Sequence, residues 1–303
     1  MQTPIRIELS LDVMFFSVNC FLVPGAQLTL VDCGLDMGDN WRTFQRLLKE
    51  NGYQVRDIEQ IVITHEHRDH IGLLSKIMEE SNAIVHIPKA IEGWFSQPEV
   101  MKTALMGFMK KNYDTLGFPA EMLQKAMQFI DGFRTYPTFK EMDRFRLFEE
   151  GDTIEMANTE WEILNTPGHC PTQYVFIQAE EKRIFSGDML LPVAPMPIIS
   201  EDPNNPGQKN RALKELLESF ERLKPYDFQT VYPGHGPIFS NANAVIDRQL
   251  ARINMRKAEC LDLYNKGFKT VYAIHRQMYP NHQVPPNFSG IHMIQGYLDL
   301  LDK

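Results

Sequence analysis

Thr64-His65-Glu66-His67-Arg68-Asp69-His70 follows directly on the mostly apolar stretch at residues 58–63. Three imidazoles and two carboxylates fall within six residues. A buried strand ending in such a loop would carry a metal cradle at its mouth. His65 and His67 stand two apart, so an extended backbone aims both at one ion. Asp69 and His70 come at the start of the periodic stretch 71–78, where the dipole of a helix N-terminus favours a carboxylate. Imidazole with carboxylate suits zinc, and also iron or manganese. A polar loop that is merely rich in histidine is the alternative, and the full His-x-His-x-Asp-His pattern argues against it.

Three further segments offer the same groups, each after an apolar run and beside a glycine or turn. Residues 161–165 lead into Thr166-Pro167-Gly168-His169, residues 183–187 into Asp188, and residues 228–232 into Pro233-Gly234-His235-Gly236. In this order the motifs resemble those of metallo-β-lactamase superfamily hydrolases, with none missing, over roughly residues 5–240. The resemblance implies His65, His67 and His169 on one metal and Asp69, His70 and His235 on a second, with Asp188 bridging. It also implies that Asp69 holds or relays the nucleophile's proton. The cofactors it implies are two divalent metal ions, zinc first, with iron or manganese as alternatives. The implied fold is α+β, a four-layer αββα sandwich.

At 303 residues with 43% hydrophobic content, the chain has enough apolar material for a substantial core. A formal charge of −8 argues against a surface built mainly to attract phosphate backbones. Cys20, Cys33, Cys170 and Cys260 are widely spaced and form no Cys-x-x-Cys pair, which reads as reduced thiols in a cytoplasmic protein. Cys170 adjoins His169, but a small buried side chain is the simpler reading. The sequence shows no signal-peptide pattern and no apolar run near the roughly 20 residues that span a bilayer.

Read in order, residues 5–9, 14–23 and 28–31 have strand character, and Asp32 ends the last of them. In the resembled family an aspartate here supports the metal loops; a plain turn residue is the other reading. Residues 39–51 have helical spacing, with Trp41, Phe44, Leu47 and Leu48 on one side, and a short strand is expected at 83–87. Residues 89–149 are rich in Met and aromatics, among them Trp94, Phe108 and Phe133, with helical spacing at 98–112 and 119–133. This stretch is expected to be a helical cap inserted in a domain spanning 1–240, covering the metals and setting substrate choice. Packing of the insert's own small core is the competing account of any one of these residues. Strand patterning returns at 153–188, and a proline-rich loop at 191–207 should border the site. Residues 212–223 and 241–265 have helical spacing, and two more helices are expected near 270–274 and 289–301, so that 241–303 forms a C-terminal helical extension. His86, His275, His282 and His292 are expected to be structural or exposed.

Two metals can activate water at neutral pH without any serine or cysteine nucleophile. Within the resembled superfamily, the intact His67 argues against the diiron oxidoreductases and Asp188 against the true β-lactamases. The apolar insert favours an ester-like acyl substrate, a thioester or lactone. A phosphodiesterase or ribonuclease, a metal-bound ligand sensor and an iron-dependent persulfide-type oxygenase are the alternatives. The expected partners are a small-molecule substrate and a second copy in a homodimer, with neither a membrane nor nucleic acid favoured.

Overall fold

Apolar segments buried largely on both faces build two β-sheets, and stretches with helical spacing cover their outer faces. The computed structural model describes residues 3–11, 16–133, 139, 142–194, 196–280 and 288–301. The first sheet holds β1 (Ile5–Leu11), β2 (Phe16–Val23), β3 (Thr29–Val31), β4 (Gln60–Val62), β5 (Ile84–Pro88) and β6 (Phe145–Phe148), in that spatial order. β1 to β3 are antiparallel, and β3 to β6 are parallel. The second sheet holds β7 (Thr153–Met156), β8 (Thr159–Asn165), β9 (Tyr174–Gln178), β10 (Arg183–Gly187) and β11 (Thr230–Pro233), also in chain order. Its strands are antiparallel except for the parallel pair β10 and β11.

Successive side chains of a strand point to opposite faces, so each strand serves two cores. Phe21, Val31, Val62 and Phe148 of the first sheet meet Trp161, Phe176, Phe185 and Tyr232 of the second. Their neighbours Leu22, Leu30, Ile61 and Val85 face the other way, into a core closed by α1 (Asn40–Glu50), α2 (Arg68–Ile71), α3 (Leu74–Glu80) and α4 (Glu92–Ser96). On the far side Val175, Ile177, Ile184 and Val231 share a third core with α7 (Ala212–Leu223) and the C-terminal helices. The insert contributes α5 (Pro98–Tyr113) and α6 (Ala120–Phe133); the C-terminal region contributes α8 (Ala242–Asn265), α9 (Val271–Met278) and α10 (Phe288–Asp299). Three apolar layers between helix, sheet, sheet and helix make the αββα sandwich expected from the sequence. Among the described residues, no helix is long and apolar enough to cross a membrane.

The structure departs from the sequence-based expectations in three places. The helix expected after Asp69 is broken at Gly72 and Leu73, because the loop after β3 takes its hydrogen bonds. Cys33 N–H donates to the His70 carbonyl at 2.6 Å, and Leu73 N–H donates to Gly34 O at 3.3 Å. A Cβ at Gly72 would lie 2.6 Å from Asp36 N, so the approach needs glycine. Second, the end of the 89–149 stretch is not helical, since β6 returns to the first sheet beside β5. Third, Trp94 and Phe108 are core side chains, 6% and 7% exposed, in the first and third cores respectively. Met14 and His282, and the side chain of Phe133, lie outside the described residues.

Candidate metal centre

The four loops flagged in the sequence leave the ends of β4, β8, β10 and β11 and converge. All seven flagged side chains come together. His67 Nδ1 lies 3.0 Å from His65 Nε2 and 2.8 Å from His169 Nε2, so three imidazole nitrogens face one point. Asp69, His70 and His235 form a second group, with Asp69 Oδ2 3.3 Å from His235 Nε2 and 4.0 Å from His70 Nε2. Asp188 lies between the groups. Its Oδ1 is 3.4 Å from His70 Nε2, and its Oδ2 is 3.2 Å from His235 Nε2 and 3.4 Å from His169 Nε2.

Four of the five histidines are oriented through Nδ1, leaving Nε2 to face the centre. His65 Nδ1–H donates to the Thr64 hydroxyl at 2.9 Å, and that hydroxyl donates to Asp32 Oδ2 at 2.9 Å. His70 Nδ1–H donates to Asp32 Oδ2 at 2.8 Å. His169 Nδ1–H donates to the Met196 carbonyl, and His235 Nδ1–H to the Ser17 carbonyl, both at 2.8 Å. Such outer partners fix the tautomer and the ring direction of a metal-binding histidine. Asp32 is therefore more than a turn residue: buried, with φ of 58°, it supports both groups at once.

The loops themselves are cross-tied. Glu66 accepts from the Thr172 hydroxyl at 2.5 Å, linking the His65 and His169 loops. Asn19, in β2 of the first sheet, donates through its side chain to Pro233 O at 2.8 Å and Gly236 O at 2.7 Å, and its N–H donates to Gly234 O at 2.8 Å. It staples the His235 loop of the second sheet to the first. Gln173 Oε1 accepts from Asp188 N–H at 3.3 Å. Asn19 and Gln173 carry no motif in the sequence; only their burial among loop carbonyls and amides reveals them.

Burial, reinforced by the neighbouring imidazoles, pushes His65 well below its ordinary value, and burial also lowers His169. Both are thus neutral, as a metal ligand must be. Burial would lower His70 too, but Asp188, Asp32 and Asp69 outweigh it and raise it well above normal. His235 is held up at about 10, because Asp188 and Asp69 overcome the effect of burial, so a metal binding at the second group would have to displace the protons of His70 and His235. Burial raises the Asp69 and Asp188 carboxyls less than the surrounding imidazoles lower them, so both stay ionised. Cys170 is a buried free thiol pushed up by burial and then by Glu66, which suits packing rather than ligation.

A metal fits this donor set. His70 Nε2 and Asp188 Oδ1 are buried and have no hydrogen-bond partner, an arrangement that is unfavourable unless something fills the gap between them. Imidazoles with carboxylates are the donors that divalent transition metals take. His86, His275 and His292 belong to none of the metal-capable groups among the described residues.

The sequence matches the family model of the metallo-β-lactamase superfamily over residues 13–235. It is 27% identical to the probable metallo-hydrolase YqjP of Bacillus subtilis over 94% of this chain and 88% of that protein. It is 24% identical to a hydroxyacylglutathione hydrolase, GloC, of Haemophilus influenzae, over 59% of this chain and 70% of that one. An atrochrysone carboxyl ACP thioesterase of Aspergillus aculeatus is 25% identical over 37% of this chain and 32% of its own. Among solved structures, a metallo-β-lactamase family protein from Thermus thermophilus superposes with a TM-score of 0.79 and 22% identity, covering 99% of this chain and 93% of that one.

Proposed function

The chain belongs to the metallo-β-lactamase superfamily and is a metal-dependent hydrolase, and from that premise we propose that it cleaves an ester-like acyl bond, a thioester or a lactone, with two zinc ions. The observation that carries the two-metal reading is Asp188, whose Oδ2 lies 3.4 Å from His169 Nε2 in one group and 3.2 Å from His235 Nε2 in the other, while its Oδ1 lies 3.4 Å from His70 Nε2. His65, His67 and His169 would hold one ion, Asp69, His70 and His235 the other, and Asp188 both. Bound there, the ions supply a water that ionises near neutral pH and a positive charge for the oxyanion.

The remaining chemistry belongs to the chain. Of the two carboxylates in the centre, Asp69 is the more open, 19% exposed at the side chain against 3% for Asp188. It is therefore the group that takes the proton of the attacking water and passes it to the departing thiol or alcohol. Thr64, Asp32, Ser17 O and Met196 O hold the imidazoles in place, so no donor has to be reoriented as charge develops.

The acyl preference draws support from the apolar insert, from the net charge of −8 and from the named activities of the hydroxyacylglutathione hydrolase and thioesterase relatives. A hydrolysis screen of the zinc-loaded protein against acyl thioesters, lactones, phosphodiesters and short RNAs tests it. Turnover of a thioester or lactone is expected, and Asp188→Ala should remove nearly all of it together with the metal. Efficient cleavage of RNA or phosphodiesters with none of the acyl compounds would replace this reading with a nuclease.

A further inference from the structure

His169 is held at two points by the strap at residues 196–199. The Met196 carbonyl accepts from the His169 Nδ1–H at 2.8 Å, and Ile198 N–H donates to the His169 carbonyl at 3.0 Å. Pro197 between them has no N–H and a fixed φ, so the strap is stiff and poor in donors. Its next donor, Ile199 N–H, points to the other side and gives its hydrogen to His292 Nδ1 at 3.0 Å. That bond makes Nδ1 the acceptor, so the His292 proton sits on Nε2, 3.2 Å from the Tyr113 hydroxyl. His292 lies in α10 and Tyr113 in α5; they are 5% and 7% exposed. A continuous path thus runs from the insert, through the helix carrying His292 and the strap, to the ring of His169.

Packing holds the strap only on one side, where Ile199 rests against the third core. Ile199 and Tyr113 line a cavity of about 100 Å³ with Phe108, Met109, Leu116 and Lys209, so space lies beside the strap. Ser200 is fixed beyond it by Asn210, whose Oδ1 accepts from Ser200 N–H at 2.9 Å. Between that anchor and His169, the His292 bond ties the strap to α10.

We infer that His292 is a positioning residue for the metal centre, holding through residues 196–199 the carbonyl that sets the ring of His169. This rests on the reading of His169 as a metal ligand. Replacing partners that orient a ligand lowers metal affinity by about 10–100-fold, and His292 acts one step further out. His292→Leu should therefore release metal to a chelator roughly tenfold faster. It should also shift the visible spectrum of the cobalt-substituted protein. His292→Asn, whose Oδ1 can accept from Ile199 N–H, should restore both. Tyr113→Phe should give a smaller change and none on top of His292→Leu.

If His292 serves only to pack α10, the metal-free variant will melt earlier while its release rate and cobalt spectrum match the parent; that result overturns the inference. Should His292→Leu fail to fold, a Tyr113→Phe protein with parental release and spectrum overturns it equally. His169→Ala separates the two readings. If it keeps both ions at parental affinity, His169 is no ligand and both readings fall; if it loses metal while His292→Leu does not, only the role of His292 falls.

Discussion

Gly234 is the residue on which the centre closes most tightly. A Cβ there would lie 2.2 Å from Asp188 Oδ1 and 2.7 Å from His70 Cε1. Neither can retreat, since both are buried and His70 is tied to Asp32. Gly234→Ala should weaken metal binding on the order of 100-fold, with little change in the cores. Elemental analysis after dialysis checks it, and an alanine variant that retains metal like the parent would refute the crowding argument. At this scale the sequence is uneven in what it discloses. His65, His67, Asp69, His70, His169, Asp188 and His235 are legible because their chemistry resides in the side chain and their spacing repeats a pattern. What orients them is partly main chain, Ser17 O and Met196 O, and a carbonyl leaves no trace in a sequence.

The elements deliver those residues in a regular way, each flagged loop leaving the end of a strand. Periodicity discloses α1, α5 and α6 almost to the residue: α1 and α5 bury side chains at helical spacing, and Leu123 and Met127 of α6 rest four apart against the third core. It does not disclose the break after α2, which depends on hydrogen bonds taken by a loop distant in sequence. Nor does it tell a cap side chain that faces substrate from one that faces the protein. Trp94, from α4, lies in the first core, so Trp94→Ala should lower unfolding free energy by about 3–5 kcal/mol. A urea titration measures it; unchanged stability with an altered acyl preference would return Trp94 to the substrate. β5 carries a second consequence. Burial, and then Arg146 opposite it on β6, lower His86 from 6.5 to about 4. Between these values the unfolded chain binds a proton that the folded protein refuses, so stability falls as pH drops from 6.5 towards 4. The contribution of His86 to the loss between about pH 7 and pH 5 should be on the order of 1–2 kcal/mol, and the loss should be smaller by that amount in His86→Asn. Equal losses in parent and variant would show that His86 does not contribute.

For the molecule as a whole, strand alternation tells which residues share a face but not which sheet that face meets. The division into three cores was legible only through the resemblance. The helical extension was legible as helices, while its union with the insert through Tyr113 and His292 was not, because that union depends on contacts far apart in the chain. Chain order also fixes when the ligand set can be complete. His65 emerges early in synthesis and His235 late, and the helix carrying His292 later still. Local segments form quickly, whereas contacts distant in sequence wait for the loops between them to close. A nascent chain therefore carries its first histidines for most of its synthesis without the partners that would hold them. Metal capture by the full ligand set belongs late in folding, after the loop carrying His235 has joined those of His65, His169 and Asp188.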